Sequence, residues 1–246
     1  MRFDLLLLPR QICAWALIGL MTIIIASLLV IVNVFPRSGY LTFRIGRVWN
    51  MVAAWFMGVR FSLNGAEKIV KGESYVITPN HQGFAEILAL FVAFPVPFKW
   101  VIKKELRKIP FFGRGLMATG AICLDRSNRE SSVKSLQEGM KNLARGWSVL
   151  IYPEGTRTPD GRLQAFKKGA FMTAVQTGIP ILPVTCNGAY KILPKKTVLF
   201  RPGHVTLTIG DPIPTAGLSE HDVPNLMERT WQAINADLNP DFDPFR

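Results

Sequence analysis

A histidine and a carboxylate stand close together in the stretch Asn80-His81-Gln82-Gly83-Phe84-Ala85-Glu86. Imidazole takes and returns a proton near neutral pH, and a carboxylate bonded to one ring nitrogen leaves the other free as a base. On a regular helix, at about 100° per residue, His81 and Glu86 would point roughly 140° apart. To cooperate, His81 must sit in the turn before a helix and Glu86 in that helix's first turns. The flanks fit this: residues 75–78 read as a buried strand and 87–94 as a buried helix stopped by Pro95. Strand-to-helix junctions are where α/β folds expose their chemistry. A His–carboxylate pair that only braces the fold would look the same in this stretch alone.

A second cluster, Tyr152-Pro153-Glu154-Gly155-Thr156-Arg157, follows the apolar run 148–152. Gly155 permits a tight turn and close approach of a ligand. Arg157 presents a planar fork suited to phosphate, and Glu154 can orient it or a basic neighbour. An ordinary turn with a surface ion pair is the alternative. Arg126, Lys103, Lys104, Lys167 and Lys168 add positive charge at other predicted element ends. If those ends converge, they build a phosphate site beside His81. The chain has no G-x-S-x-G elbow, H-E-x-x-H pair or Walker-type loop. A base without a protein nucleophile points to direct activation of a substrate hydroxyl. Attack on an acyl group would also need oxyanion donors, most simply backbone N–H groups near a helix start.

The elements that must position these groups follow from composition and pattern. The 246 residues suit one catalytic domain with a short appendage, or at most two small domains. The net charge is +12 on a chain of mean hydropathy +0.22. That combination fits an anionic membrane surface or a phosphate-bearing substrate. Nucleic acid is the competing partner, but no helix-turn-helix, zinc-finger or aromatic RNA-binding signature is present, so none is expected. Cys13, Cys123 and Cys186 lie in apolar surroundings without paired spacing, and read as buried small hydrophobes. Neither a disulfide nor a metal site is expected.

Between Arg10 and Arg37 the chain is almost wholly apolar, long enough for a membrane helix of about 20 residues. Val34-Phe35-Pro36-Arg37 fits signal-peptide cleavage poorly, so the segment is expected to be retained. Residues 40–59 carry Leu41, Ile45, Val48, Val52, Trp55 and Phe56 near helical spacing with Arg44 and Arg47. This suits a helix at headgroup level or one packed under the catalytic domain. The expected division is 1–58, membrane-anchoring helices, and 59–246, the catalytic domain. From Val59 onward, short β-rich runs alternate with helical ones, which predicts an α/β fold.

Strands are predicted at 60–63, 98–102 and 120–124, and at 148–152 before the second cluster. Ser131 or Ser132 can cap a helix with Val133, Leu136, Met140 and Leu143 on its apolar face. Pro180 and Pro183 suggest an edge or irregular strand at 179–184. A hairpin is predicted from 198–200 and 205–209 about Pro202-Gly203. The last helix, about 222–238, should bury Val223, Met227, Trp231, Ile234 and Leu238.

Four ordered blocks are similar to those of the glycerolipid acyltransferases: Asn80-His81 with Glu86, residues 120–126 ending in Arg126, residues 152–157, and Ile179-Pro180-Ile181-Leu182-Pro183. The chain most resembles the bacterial 1-acylglycerol-3-phosphate (lysophosphatidic acid) acyltransferases. That resemblance implies a mixed sheet flanked by helices, with an N-terminal membrane-associated two-helix segment. It implies transfer of a fatty acyl group from acyl-carrier protein or acyl-CoA to the sn-2 hydroxyl of lysophosphatidic acid, giving phosphatidic acid, with no metal or bound cofactor. His81 would be the base and Glu86 its orienting partner. Glu154, Gly155, Thr156 and Arg157 would bind the acceptor, with Arg126 and a lysine from Lys103-Lys104 beside them. The family's acidic residue is usually Asp, so Glu86 adds a methylene of reach. Membrane lipids would be partners, at the inner (cytoplasmic) membrane with the catalytic domain on the cytoplasmic side. An apolar tunnel for the acyl chain is implied as well. Another acceptor such as a lyso-ornithine lipid, a hydrolase and a non-catalytic lipid binder are the rival readings.

Overall fold

The computed structural model describes residues 8–35, 39–125, 129–141, 143–194 and 197–245. Helices α1 (Leu8–Val32) and α2 (Gly39–Met57) lead into β1 (Val59–Asn64). Then come β2 (Val76–Pro79), α3 (Ala85–Ala93), β3 (Phe98–Lys103), α4 (Phe112–Ala118) and β4 (Ile122–Leu124). The chain continues through α5 (Arg129–Lys141), β5 (Ser148–Leu150), α6 (Gly169–Thr177), β6 (Ile181–Asn187), α7 (Ala189–Ile192), β7 (Gly203–Ile209) and α8 (Val223–Ala236). The described strands form one sheet in the order β1-β7-β6-β2-β5-β3-β4. All neighbours are parallel except β6 and β7. The predicted α/β class and the mixed, helix-flanked sheet are both present.

Alternation along the strands builds two apolar layers. Ile77, Leu150, Leu182 and Val184 join α1, α2, α3 and α7 on one face. Val76, Val149, Ile151 and Ile181 join α5, α6 and α8 on the other. Because β2 through β6 run in the same direction, their C-terminal ends share one edge. Ile77, Leu150 and Trp100 lie side by side in register. Three residues further on, Asn80, Pro153 and Lys103 therefore stand at the same level, and both chemical clusters emerge there.

α1 is apolar all round, yet it uses one face. Gln11, Ala14, Ile18, Ile25 and Leu29 are buried. Ile12, Leu20, Ile24 and Ile31, on the opposite side at helical spacing, are exposed. The Gln11 side chain accepts the Phe200 N–H at 3.1 Å, and Trp15 Nε1 donates to the Val198 carbonyl at 2.8 Å. Trp49 Nε1 on α2 donates to Thr22 at 2.9 Å. α1 thus lies along the rest of the molecule for most of its length.

Three expectations about elements are corrected. Of the two readings of the proline-bearing strand, the edge fails and the irregular position holds: the strand is central and fully buried. Ile181 exchanges both backbone bonds with Ile213, while Val184 pairs with Ile209, so the partner carries one extra residue between them. Pro183 directs its nitrogen, which has no proton to give, into that bulge. The hairpin does not form: 198–200 is taken by α1, and β7 pairs with β1 and β6. The buried face of α8 is Val223, Leu226, Thr230 and Ile234, and Met227, Trp231 and Leu238 sit at its margin. Thr230 is buried because its hydroxyl donates to the Leu226 carbonyl of its own helix. Three single residues also differ: Val133 on α5 and Cys13 on α1 are exposed, and Cys123 on β4 is only half-buried.

Candidate active site

β2 ends at Pro79 and the next four residues are pinned before α3 begins. Asn80 is an amide clamp between strands: Nδ2 donates to the Cys186 carbonyl at 3.0 Å and Oδ1 accepts the Cys186 N–H at 2.6 Å. The Gln82 side chain is buried and binds the Gly161 carbonyl. Gly83 packs so closely under α7 that an added Cβ would lie 2.9 Å from the Ala189 carbonyl oxygen. His81 is thereby fixed in the turn, as the spacing requires.

Glu86, fully buried in the first turn of α3, uses one oxygen for His81 Nδ1. The other accepts the N–H groups of Gln82 at 2.7 Å and Gly83 at 2.6 Å. A carboxylate can only accept, so the proton of the ring sits on Nδ1 and Nε2 carries the free lone pair. The His81 side chain retains 16% exposure against none for Glu86. The ring stacks on Tyr152, with centroids 3.8 Å apart and planes at 18°. The Tyr152 hydroxyl is buried without a hydrogen-bond partner. Burial pushes it well above its usual pKa, and the nearby charge of Glu86 adds to this. The N–H groups at this helix start, expected as oxyanion donors, are thus spent on Glu86 in the case of Gln82 and Gly83.

Glu154 ties the second cluster to the first. Its Oε1 accepts the His81 N–H at 2.6 Å, and its Oε2 accepts the Gln164 backbone and side-chain N–H groups at 3.1 and 2.8 Å. Burial raises its carboxyl pKa, those three bonds oppose the rise, and the charge of Glu86 adds to it. Thr158, next to Arg157, donates its N–H to the His81 carbonyl at 2.7 Å. The two loops are therefore in direct contact. Gly155 has φ +70°, and a Cβ there would come within about 3 Å of Lys167, whose ammonium group lies over the turn. Thr156 is exposed and Arg157 half-buried on the same loop.

Lys103 and Lys104 reach the same sheet edge but two strands from β2, about 10 Å away at ordinary strand spacing. Lys104 bonds to Asp125 at 2.5 Å and Lys103 is exposed. Arg126 lies outside the described residues. Gln164 is the functional partner that sequence reasoning missed. It follows Glu154 by ten positions in a loop without periodicity, and only the folded turn brings it back.

On the side of α3 that carries Ile87 and Phe91, an apolar cleft opens between α1, α2, α3 and α4, with about 60 Å³ of free space. Phe84 and Ile87, which flank Glu86, form one wall with Trp100, and Gly46, Asn50 and Leu116 lie further along. The lining reaches the His81 loop through Phe84 and Ile87 and does not include His81, Glu86 or residues 154–157.

Comparison with known proteins gives the family. The family described as "Acyltransferase" matches residues 60–187, which hold both loops. A 1-acyl-sn-glycerol-3-phosphate acyltransferase of Chlamydomonas reinhardtii is 35% identical over 68% of this chain and 49% of its own length. Its human beta counterpart is 31% identical over 73% of this chain and 65% of its own. An uncharacterised acyltransferase of Schizosaccharomyces pombe is 30% identical over 86% of this chain and 76% of its own. The chain thus spans about half of the algal relative. The crystal structure of the 1-acyl-sn-glycerophosphate (LPA) acyltransferase PlsC from Thermotoga maritima superposes with a TM-score of 0.81 at 26% identity, covering 94% of both chains. With the family match covering His81 through Asn187, and the fold shared nearly end to end with a solved member, the chain belongs to the acyltransferase family.

Proposed function

We propose that the protein transfers a fatty acyl group from an acyl-CoA or acyl-carrier-protein thioester to the sn-2 hydroxyl of lysophosphatidic acid, giving phosphatidic acid. The observation that carries this reading is the His81–Glu86 dyad, with Nε2 free, held against the Glu154–Arg157 turn in a segment whose Phe84 and Ile87 line an apolar cleft. His81 Nε2 takes the proton of the acceptor hydroxyl as its oxygen attacks the thioester carbon. A C–O bond forms, the C–S bond breaks, and the departing thiolate recovers the proton from Nε2. A thioester is a reactive acyl donor, so deprotonating the alcohol is the step that gains most, about 10²–10⁴-fold from a positioned base. Glu86 holds the ring in the required tautomer and offsets the imidazolium charge.

In this reading Arg157, Lys167 and Lys103 face the acceptor phosphate, and Glu154 and Gly155 shape the loop that carries them. Glu154 contributes by position, because both its oxygens are engaged within the protein. The cleft takes the acyl chain. Residues 1–58 anchor the enzyme: α1 is long and apolar enough to cross a membrane, at about 38 Å for its 25 residues. Its contacts along α2 and α4 favour lying in the leaflet beside the catalytic domain, which this reading assigns to the cytoplasmic side of the inner membrane.

The test is a competition between acceptors. Purified enzyme is given one thioester donor with lysophosphatidic acid or a lyso-ornithine lipid, and diacyl products are quantified by mass spectrometry. Preference for lysophosphatidic acid is expected. Preference for the ornithine lipid would move the acceptor assignment to that alternative.

A further inference from the structure

Between the 3₁₀ turn 104–108 and α4 the chain makes an abrupt bend at Ile109-Pro110-Phe111. The Phe112 N–H donates to the Pro110 carbonyl at 2.6 Å across Phe111, a three-residue turn. Phe111 has φ +57°, and among the described non-glycine residues it alone has a positive φ. A bulky side chain in that region is strained, and such strain persists where the surroundings enforce it, often for function. Yet the phenyl ring is not buried for this cost: Phe111 is 46% and Ile109 44% exposed.

The surroundings of the turn have a consistent character. Arg107, Lys108 and Arg114 are exposed around it. α4, which follows directly, packs on α1: an added Cβ on Gly115 would meet Ala26 at 3.0 Å and Leu29 at 3.6 Å. The turn therefore lies near the C-terminal half of α1, on the side α1 buries at Ala26 and Leu29, and the end of α1 carries Ile31, Val34 and Phe35 in the open. Phe112, Gly115 and Leu116 meanwhile line the apolar cleft.

We propose that Ile109-Pro110-Phe111 is a membrane-inserting wedge, a third contact with an anionic lipid surface beside α1 and α2, placed at the cleft's flank. The strained turn projects an aromatic and an aliphatic side chain, and the cationic ring around it meets lipid phosphate, the pattern of an interfacial anchor. Placing this turn in the leaflet would put the cleft wall of α4 against lipid. The inference rests on the membrane placement proposed above.

Its test uses three single-cysteine chains, each labelled with an environment-sensitive fluorophore and reconstituted in vesicles with and without anionic lipid. One keeps Cys13 on the outer face of α1, one carries Phe111→Cys, and one carries Arg229→Cys on α8, across the sheet. The remaining native cysteines of each chain are replaced, Cys13 and Cys123 by serine and the buried Cys186 by alanine. The label at 111 is expected to shift blue and to be quenched by nitroxide-bearing lipids, more so with anionic lipid, while that at 229 is not. Quenching at 13 but not at 111 overturns the wedge. Quenching at neither overturns the membrane placement itself. A blue shift at 111 that grows with protein concentration in the absence of lipid marks contact with a second copy and also overturns the wedge.

Phe111→Gly provides an independent readout, because glycine adopts a positive φ at no steric cost. Its melting temperature is expected at or above that of the wild type. Transfer to vesicle-borne acceptor should fall about tenfold, the scale of one lost aromatic contact, with transfer to a short-chain dispersed acceptor unchanged. Equal rates on both acceptors, or equal losses, contradict the proposal.

Discussion

Replacing Glu86 by glutamine tests the dyad with little change of shape. Glu86 accepts three bonds, from His81 Nδ1 and the Gln82 and Gly83 N–H groups, but the amide has only one accepting oxygen. Leaving two buried N–H groups unpaired costs about 1–3 kcal/mol each, so the amide oxygen stays with them. Its NH₂ then faces Nδ1, which must accept, and the ring proton moves to Nε2. The base is lost although every heavy atom keeps its place. The expected fall in kcat is about 10³–10⁴-fold, the size of a wrong-tautomer defect. Exchanging one charge-assisted bond for a neutral one costs only about 1 kcal/mol, or about 2–4 °C in Tm for a chain of this size. The assay is thiol release from acyl-CoA at saturating lysophosphatidic acid, alongside thermal melts of the same preparations. A folded Glu86→Gln enzyme with kcat within about tenfold of wild type would refute the role given to Glu86.

Two further outcomes follow from the buried contacts. Burial raises the Glu154 carboxyl in the fold above its ordinary value of 4.5. A raised acid contributes stability that is fully present below the unfolded pKa and is lost as pH rises through the folded one. The Tm advantage of wild type over Glu154→Gln should therefore be larger near about pH 4 than near about pH 7, and the reverse trend would contradict it. In the cleft, a Cβ on Gly46 would meet Thr119 at an ordinary 3.5 Å, so a side chain can begin there, and Gly46→Leu would extend into the space. It should lower kcat/KM for donors of about 16 carbons by tenfold or more relative to donors of about 8, since each unburied methylene forfeits about 0.8 kcal/mol. An unchanged chain-length profile would remove the cleft from acyl binding.

What could be read in the sequence was local. The strand–turn–helix around His81 needed only the spacing of His81 and Glu86 and the apolar flanks. α2 and the alternating strands declared themselves through periodicity in the same way. What escaped was set by partners distant in sequence. Pro183 looked like an edge residue because the compensating bulge lies at 209–213. The run 198–200 looked like a hairpin arm because nothing local reveals that Gln11 and Trp15 occupy its backbone. The α8 stripe was misplaced because Thr230 is polar by type yet satisfies its hydroxyl within its own helix. Glu154 read as an orienting partner of Arg157 or of a basic neighbour, whereas it braces His81 from 73 positions away.

The most direct measurement is the product balance of one reaction. Wild type and His81→Ala are given labelled acyl-CoA with and without lysophosphatidic acid, and phosphatidic acid, free fatty acid and CoA are all counted. The account predicts one phosphatidic acid for each CoA released by wild type, little release without acceptor, and a loss of about 10²–10⁴-fold in His81→Ala. Steady fatty acid release without acceptor would mark a hydrolase, and phosphatidic acid formed by His81→Ala at the wild-type rate would remove the imidazole from the reaction.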